Sequence, residues 1–158
     1  MTNRPIKKVL FLLTVSAVLW AARADARVAV AFQHPETYGD IDLRDAQVLP
    51  AIRAHLERLG ERYLGRDAVL RITVIDVRIA GRYAPPHSVT GPRVMSDGTW
   101  PLITLRYTLT RGGRVVASGE ETISDQFYLS RSRTVSSGPL AYEKALLDDW
   151  FRERFASR

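Results

Sequence analysis

Residues 101–123 carry the pattern that most limits what this chain can fold into. Apolar and polar residues alternate over residues 101–110, which is typical of a strand with one buried face. The apolar side of this run consists of Ile103, Leu105, Tyr107 and Leu109. The pair Gly112-Gly113 follows, and because glycine accepts positive φ without steric cost, it predicts a tight turn into a second strand over residues 115–123.

Two more runs predict strands. Residues 28–32 (VAVAF) form a short β-rich run, and residues 68–81 are too rich in β-branched residues to favour a helix. In the longer run, which Arg71 interrupts, we expect an apolar face of odd-numbered residues: Val69, Thr73, Ile75, Val77 and Ile79. Proline and glycine recur over residues 82–99 without periodicity, so this stretch predicts a long loop.

Apolar residues recur at helical spacing in two other stretches. The first stripe predicts an amphipathic helix that ends at Gly65, and its members are Val48, Ile52, Leu56, Leu59 and Tyr63. Pro50 requires either that this helix begins near Leu49 or that it is kinked. Pro139 opens the last helix, because proline is tolerated in a first turn. The apolar stripe of this helix consists of Leu140, Leu147, Phe151 and Phe155.

The order of these elements predicts an α+β fold and a single domain over residues 27–158. The order is β-α-β-loop-β-β-α. Its economical assembly is a mixed or antiparallel sheet of about four strands with both helices packed on one face, since that arrangement covers all the apolar stripes.

Residues 1–26 have the organisation of a secretory signal peptide. Three basic residues, Arg4, Lys7 and Lys8, precede the uncharged run 9–22, and a small-residue triplet follows at 24–26. Because this run is shorter than the about 20 residues that a membrane-spanning helix needs, we expect cleavage after Ala26 rather than a retained anchor. The mature chain is then expected to be a periplasmic protein without a stable membrane anchor.

The absence of cysteine and the charge balance narrow the function classes. Without cysteine the chain forms no disulfide and offers no thiolate metal site. The formal net charge of +6 would fall to +3 on cleavage, because residues 1–26 hold four basic residues and one acidic residue. We do not expect an exported protein with this small excess to bind nucleic acid, whereas acidic envelope components remain candidate partners.

No local motif predicts a catalytic, metal or cofactor site. The histidines lack the pairwise spacing of a metal site, and they are His34, His55 and His87. No serine lies in a nucleophile motif, and no glycine-rich loop precedes a helix. The acidic group Asp40, Asp42 and Asp45 lacks the glycine and closing glutamate of a calcium loop, and we expect Asp45 to cap the first helix. We therefore predict no metal and no cofactor.

Residues 142–155, YEKALLDDWFRERF, are dense in carboxylates and aromatic rings. Asp148 and Arg152 lie one helical turn apart and are expected to pair. Asp149 is expected to reach an arginine of the sheet such as Arg106. The aromatic residues recur at near-helical spacing and are expected to belong to the core: Tyr142, Trp150, Phe151 and Phe155.

Four stretches resemble a known bacterial family. Residues 55–64, 100–113, 119–129 and 139–155 are similar to the family catalogued as domain of unknown function 3016, and they span nearly all of the mature chain. The most specific shared elements are Ser124, Asp125, Tyr128 and residues 142–144 and 148–151. The resemblance implies exported proteins of Gram-negative bacteria that consist mostly of a signal peptide and this domain, without an established activity or cofactor.

The shared elements hold more polar groups than a docking helix needs. The candidate binding residues are Asp125, Tyr128, Tyr142, Glu143, Lys144, Asp148, Asp149 and Trp150. In one interpretation, some of them line a pocket where the stretch after the hairpin meets the last helix. In the other, which is favoured, they form a hydrogen-bonded network that ties residues 126–138 to that helix.

The sequence favours a non-catalytic binding or interaction module of the bacterial envelope, whose partner is an envelope protein or a small ligand. An interaction module should expose an aromatic patch, for which Tyr128 or Trp150 is the candidate. One alternative is a small hydrolase that uses Glu143 with Asp148 or Asp149 as acid and base. Another is a protein that binds acidic glycolipid through its arginines. The oligomeric state remains open.

Overall fold

The structure, a computed structural model, describes residues 27–38, 46–83, 93–131 and 138–156. Within these ranges the chain forms six strands and two α-helices: β1 (Val28–Phe32), α1 (Val48–Tyr63), β2 (Ala68–Arg78), β3 (Arg82–Tyr83), β4 (Arg93–Val94), β5 (Leu102–Arg111), β6 (Arg114–Ser124) and α2 (Ala141–Phe155). Short 3₁₀ turns lie at Pro35–Thr37 and Tyr128–Arg131. Predictions that concern the signal peptide, Asp40, Asp42, Asp45 and His87 lie outside the described residues.

The main sheet has four strands in the order β1-β2-β5-β6. Strand β1 is parallel to β2, whereas the β2–β5 and β5–β6 pairs are antiparallel. Gly112 and Gly113 take φ values of 53° and 79° in the turn between β5 and β6, which confirms the predicted hairpin. The prediction of a single α+β domain with a mixed sheet is also confirmed.

The core lies between one face of the sheet and the two helices. Sheet residues such as Leu70 and Leu105 are fully buried, as are Leu56 of α1 and Leu147 of α2. Removing these side chains from water supplies the main stabilising free energy of the domain. Both helices therefore pack on the same face, as predicted, and their polar sides are left to form a surface.

The buried face of β2 differs from the sequence prediction. The even-numbered residues Leu70, Ile72 and Val74 are buried, whereas the odd-numbered Val69 is exposed. The pairing of β2 with β5 shifts register between Val74 and Asp76, so that the odd-numbered residues after this irregularity, Val77 and Ile79, become the buried ones. One extra residue reverses the faces of a strand, so no single alternation pattern describes β2.

A small second sheet occupies part of the stretch that was expected to be a loop. Strands β3 and β4 pair antiparallel, with Arg82 opposite Val94 and Tyr83 opposite Arg93. The guanidinium group of Arg93 donates hydrogen bonds to the carbonyl oxygens of residues 79, 80 and 81, and its carbon lies 4.9 Å from the centre of the Tyr83 ring. These contacts fix the hairpin beside the end of β2.

The helix starts follow the proline constraints with small differences. Helix α1 begins at Val48, so Pro50 lies in its first turn, and its N-cap residue is Gln47. Helix α2 begins at Ala141, two residues after Pro139, and its N-cap Leu140 has a left-handed backbone with φ 57°. Neither helix, nor any other in the part of the chain that the structure describes, is long and apolar enough to span a membrane.

Candidate functional site

A polar cleft of about 380 Å³ lies between the outward sides of α1 and α2. Its charged and aromatic lining comes from three elements: His55, Arg62 and Tyr63 of α1, Arg131 of the 3₁₀ turn after β6, and Lys144, Asp148, Asp149 and Arg152 of α2. Ala141 and Ala145 of α2 add only methyl groups. Four cationic side chains thus face two carboxylates, which gives the cleft a positive balance.

The spacing of the α2 residues explains why they share this cleft. Residues three or four apart lie on the same side of a helix, and the lining residues of α2 follow that spacing from position 141 to 152. The opposite side of α2 carries the apolar residues Leu147 and Phe151, which are fully buried in the core. Core packing therefore fixes which side of α2 faces the cleft.

A hydrogen bond between His55 and Asp148 joins the two helices. The Nε2 atom of His55 lies 2.9 Å from Oδ1 of Asp148, and Nδ1 lies 3.3 Å from a guanidinium nitrogen of Arg58. Because a guanidinium group only donates, Nδ1 is assigned as the acceptor of the Arg58 contact and Nε2–H as the donor to Asp148. Both ring nitrogens are thus engaged, and neither is free to act as a base toward a ligand.

The carboxylate of Asp149 lies between two guanidinium groups. One oxygen is 2.7 Å from Arg131 and the other contacts Arg152. Arg131 also binds Asp125 at 3.1 Å, and the hydrogen bond that Arg131 donates to Asp149 is the largest of the contributions that raise the pKa of Arg131. This chain of ion pairs ties the described end of the stretch after β6 to α2.

Two cations of the cleft, Arg62 and Lys144, have no carboxylate partner among the described residues. The ammonium group of Lys144 donates to the backbone oxygen of Pro139 at 2.7 Å. The guanidinium carbon of Arg62 lies 5.4 Å from the centre of the Tyr63 ring. Neither cation therefore forms an ion pair within the described part of the chain.

Glu143 is buried away from this cleft. Its side chain is 2% exposed, and its Oε1 atom accepts a hydrogen bond of 2.6 Å from the backbone N–H of Ala80. Burial raises the pKa of Glu143, and the hydrogen bond from Ala80 only partly opposes that shift. Glu143 therefore anchors the first turn of α2 to the end of β2.

Tyr128 and Tyr142 lie at the same junction. The hydroxyl group of Tyr128 donates to the backbone oxygen of Ser96 and accepts from its backbone N–H, both at 3.0 Å. The rings of Tyr128 and Tyr142 meet edge to face with centroids 4.8 Å apart. Tyr128 thus meets the last helix through the ring of Tyr142. Asp125 is linked to that helix through Arg131, whereas Glu143 bonds to the end of β2 instead.

Trp150 belongs to the core and not to the surface. It is 4% exposed, its ring packs edge to face on Tyr107 and Phe155, and its indole N–H donates to Glu121 at 3.1 Å. Tyr128 is 1% exposed, so the expected aromatic patch of Tyr128 or Trp150 is absent. The exposed aromatic residue in this region is Phe127, at 78%.

Two expected ion pairs are also corrected. The predicted Asp148–Arg152 pair does not form. Asp148 bonds to His55, and Arg152 pairs with Asp149 instead. Arg106 pairs with Glu120 on the face of the sheet that the helices leave open, which puts it out of reach of Asp149.

Of the sequence-predicted binding residues, the structure brings Lys144, Asp148 and Asp149 together in the cleft. The other five lie outside its lining: Asp125, Tyr128, Tyr142, Glu143 and Trp150. Sequence reasoning missed the contributions of His55, Arg62, Tyr63, Arg131 and Arg152. The spacing on α1 places Arg62 seven residues after His55, but only the packing of α1 beside α2 brings them to the same cleft. No group of three or more metal-binding side chains occurs among the residues described.

Comparison with known proteins places the chain in a family. The family model described as a protein of unknown function, DUF3016, matches residues 26–153. Neither a curated protein nor a solved structure matches the chain. The match extends from before β1 into the last turn of α2, so it covers both helices and the cleft between them. The resemblance noted in the sequence is confirmed, and the chain belongs to the DUF3016 family.

Proposed function

We propose that this protein is an exported, non-catalytic binding module of the bacterial envelope whose cleft between α1 and α2 takes a small anionic ligand. The observation that carries the proposal is the pair of cations Arg62 and Lys144, which line the cleft without a carboxylate partner among the described residues. An anion that enters the cleft would gain charge-assisted hydrogen bonds from both side chains. A small ligand fits a cleft of about 380 Å³, because this size lies within the usual range of ligand sites.

The two carboxylates of the cleft support binding rather than hydrolysis. Asp148 is paired with His55, and Asp149 is paired with Arg131 and Arg152. Glu143, the third member of the hydrolase hypothesis, bonds to the backbone of Ala80 and does not line the cleft. An acid and a base that act on one substrate must converge on it, and these three groups do not meet that requirement.

An interaction module that docks through Tyr128 or Trp150 has less support, because both side chains are buried. Their burial leaves the charged cleft as the surface feature with the clearest ligand preference. Export is supported by the order of basic, apolar and small residues over 1–26. It predicts that the protein recovered from the periplasm begins at Arg27, and mass spectrometry of the intact chain measures this. A chain that retains residues 1–26 would contradict it.

Calorimetric titration with pyrophosphate at low ionic strength tests the proposed function. We expect saturable binding that weakens as salt is added, because exposed charges are screened. Replacing either cation, by Arg62→Gln or Lys144→Met, should weaken binding about tenfold, since a hydrogen bond between charged groups contributes roughly 1.5 kcal/mol or more.

The matched control is Arg71→Gln, which removes the same charge from an exposed arginine of β2 outside the cleft lining. This variant should bind as the parent protein does. Equal losses from Arg71→Gln and Arg62→Gln would show that binding follows net charge and not the cleft. Absence of saturable binding in the folded parent would contradict the proposal.

A further inference from the structure

The cleft extends along several turns of α2. Its α2 residues extend from Ala141 to Arg152, which corresponds to about 16 Å of helix axis. A single phosphate or carboxylate group is much smaller than this length. The shape of the cleft therefore allows more than one part of a ligand to be bound at once.

The cations Lys144 and Arg62 lie towards opposite ends of the cleft. Lys144 lies in the first turns of α2, and Arg152 lies eight positions later, about 12 Å along the helix axis. The Tyr63 ring packs on Phe151 with centroids 5.9 Å apart, so the adjacent Arg62 comes to the Arg152 end. Each end of the cleft thus holds one cation that has no carboxylate partner among the described residues.

Between these ends the lining is polar but not suited to an anion. Asp148 and Asp149 place carboxylates there, and both ring nitrogens of His55 are engaged by Asp148 and Arg58. Carboxylates repel an anionic group and accept hydrogen bonds from hydroxyl groups. Towards the Arg152 end, the partly exposed ring of Tyr63 adds an aromatic wall with a polar hydroxyl group. The middle of the cleft therefore favours a hydroxyl-rich, uncharged part of a ligand.

From these features we infer that the ligand is a sugar that carries a phosphoryl group at each end, with one phosphoryl group on Lys144 and the other on Arg62. This inference rests on the proposed function and adds the chemical class of the ligand. Phosphoryl oxygens accept several charge-assisted hydrogen bonds, which suits both an ammonium and a guanidinium group. The same chemistry occurs in soluble sugar bisphosphates and in the head groups of bisphosphorylated glycolipids.

The test compares fructose 1,6-bisphosphate with fructose 6-phosphate by calorimetry on the full mature chain. The bisphosphate should bind about tenfold more tightly, because it engages a second cation. Either Arg62→Gln or Lys144→Met should abolish that difference, whereas Arg71→Gln should keep it. Unfolding midpoints of all variants should stay close to that of the parent, which separates loss of a contact from loss of fold.

The outcomes separate this inference from the proposed function. Equal binding of the two sugars, with pyrophosphate still bound in the cleft, would overturn the inference alone. Tighter binding of glucarate, which has a carboxylate at each end, than of fructose 1,6-bisphosphate would do the same.

Phosphatidylcholine vesicles that contain a bisphosphorylated disaccharide lipid form a second arm of the test. Binding to these vesicles, but neither to the soluble sugars nor to vesicles with the monophosphorylated lipid, would support the inference. That result would also identify a glycolipid as the source of the ligand. Failure of every arm, pyrophosphate included, would overturn both proposals.

Discussion

The Nε2 atom of His55 on α1 lies 2.9 Å from Oδ1 of Asp148 on α2, and this hydrogen bond joins the two walls of the cleft. The side chain of His55 is 14% exposed and that of Asp148 is 47% exposed. The contact is thus partly exposed on the Asp148 side, and water and salt screen it and reduce its strength. The hydrogen bond adds a polar contact between α1 and α2 outside the hydrophobic core.

A double-mutant cycle measures this contact. His55→Leu and Asp148→Ala should each lower the free energy of unfolding, and their effects should couple by about 0.5 kcal/mol, the size typical of a partly exposed pair. Urea unfolding of the parent, both single variants and the double variant gives the coupling. Strictly additive effects would show that the hydrogen bond contributes nothing to stability.

Asp149→Asn should tighten the binding of anions. The substitution removes a negative charge from between Arg131 and Arg152, and affinity should rise about threefold, because a unit charge about 6 Å away in water contributes roughly 0.7 kcal/mol. The cost in stability should stay below about 1 kcal/mol, since these ion pairs are substantially exposed. Calorimetry with pyrophosphate and urea unfolding measure the two effects. Weaker anion binding by a stable variant would instead make Asp149 a direct ligand contact.

Glu143→Gln should change how stability depends on pH. Burial raises the pKa of Glu143 in the native protein above its ordinary value of 4.5, so the native state keeps its proton to higher pH than the unfolded chain does. The free energy of unfolding should therefore fall as the pH rises from about 4.5 through the raised native pKa. The glutamine variant lacks this titration and should lose that part of the slope. Parallel pH profiles of parent and variant would contradict the assignment.

Gly60→Ala should destabilise the protein although alanine is the better helix former. A Cβ atom at position 60 would lie 2.0 Å from Cγ2 of Val28, because α1 packs closely on β1 there. Overpacking of this kind costs about 1–3 kcal/mol, more than the about 1 kcal/mol that alanine gains in a helix. Adding Val28→Ala should restore part of the loss, and thermal unfolding measures it. A more stable Gly60→Ala variant would show that the packing adapts.

Local patterns in the sequence predicted most of the secondary structure. The alternation of Ile103, Leu105 and Tyr107 with polar residues sets the buried face of β5, since that strand keeps one register over this stretch. The same logic failed for β2, because the irregularity between Val74 and Asp76 reverses which residues are buried. Alternation cannot predict an irregularity that pairing with another strand creates.

The cleft was only partly predictable, because it depends on tertiary packing. Lys144, Asp148 and Asp149 share one side of a helix, and the sequence indicates that much. His55 meets Asp148 across 93 positions of sequence, and Arg131 reaches α2 from a 3₁₀ turn. Such contacts arise from how the core orients two helices, which no local pattern encodes. The near-helical spacing of Trp150, Phe151 and Phe155, by contrast, did predict that these rings belong to the core.

The most direct test of the central claim is nuclear magnetic resonance mapping of the anion site. Backbone amide shifts of the mature protein would be followed during titration with fructose 1,6-bisphosphate and, separately, with pyrophosphate. We predict saturable shifts of residues 55–63 and 141–152, centred on Arg62 and Lys144, with little change on the open face of the sheet around Arg71 and Arg106. Shifts centred on that open face, or unsaturable shifts scattered over all arginines, would contradict an anion-binding cleft between the helices.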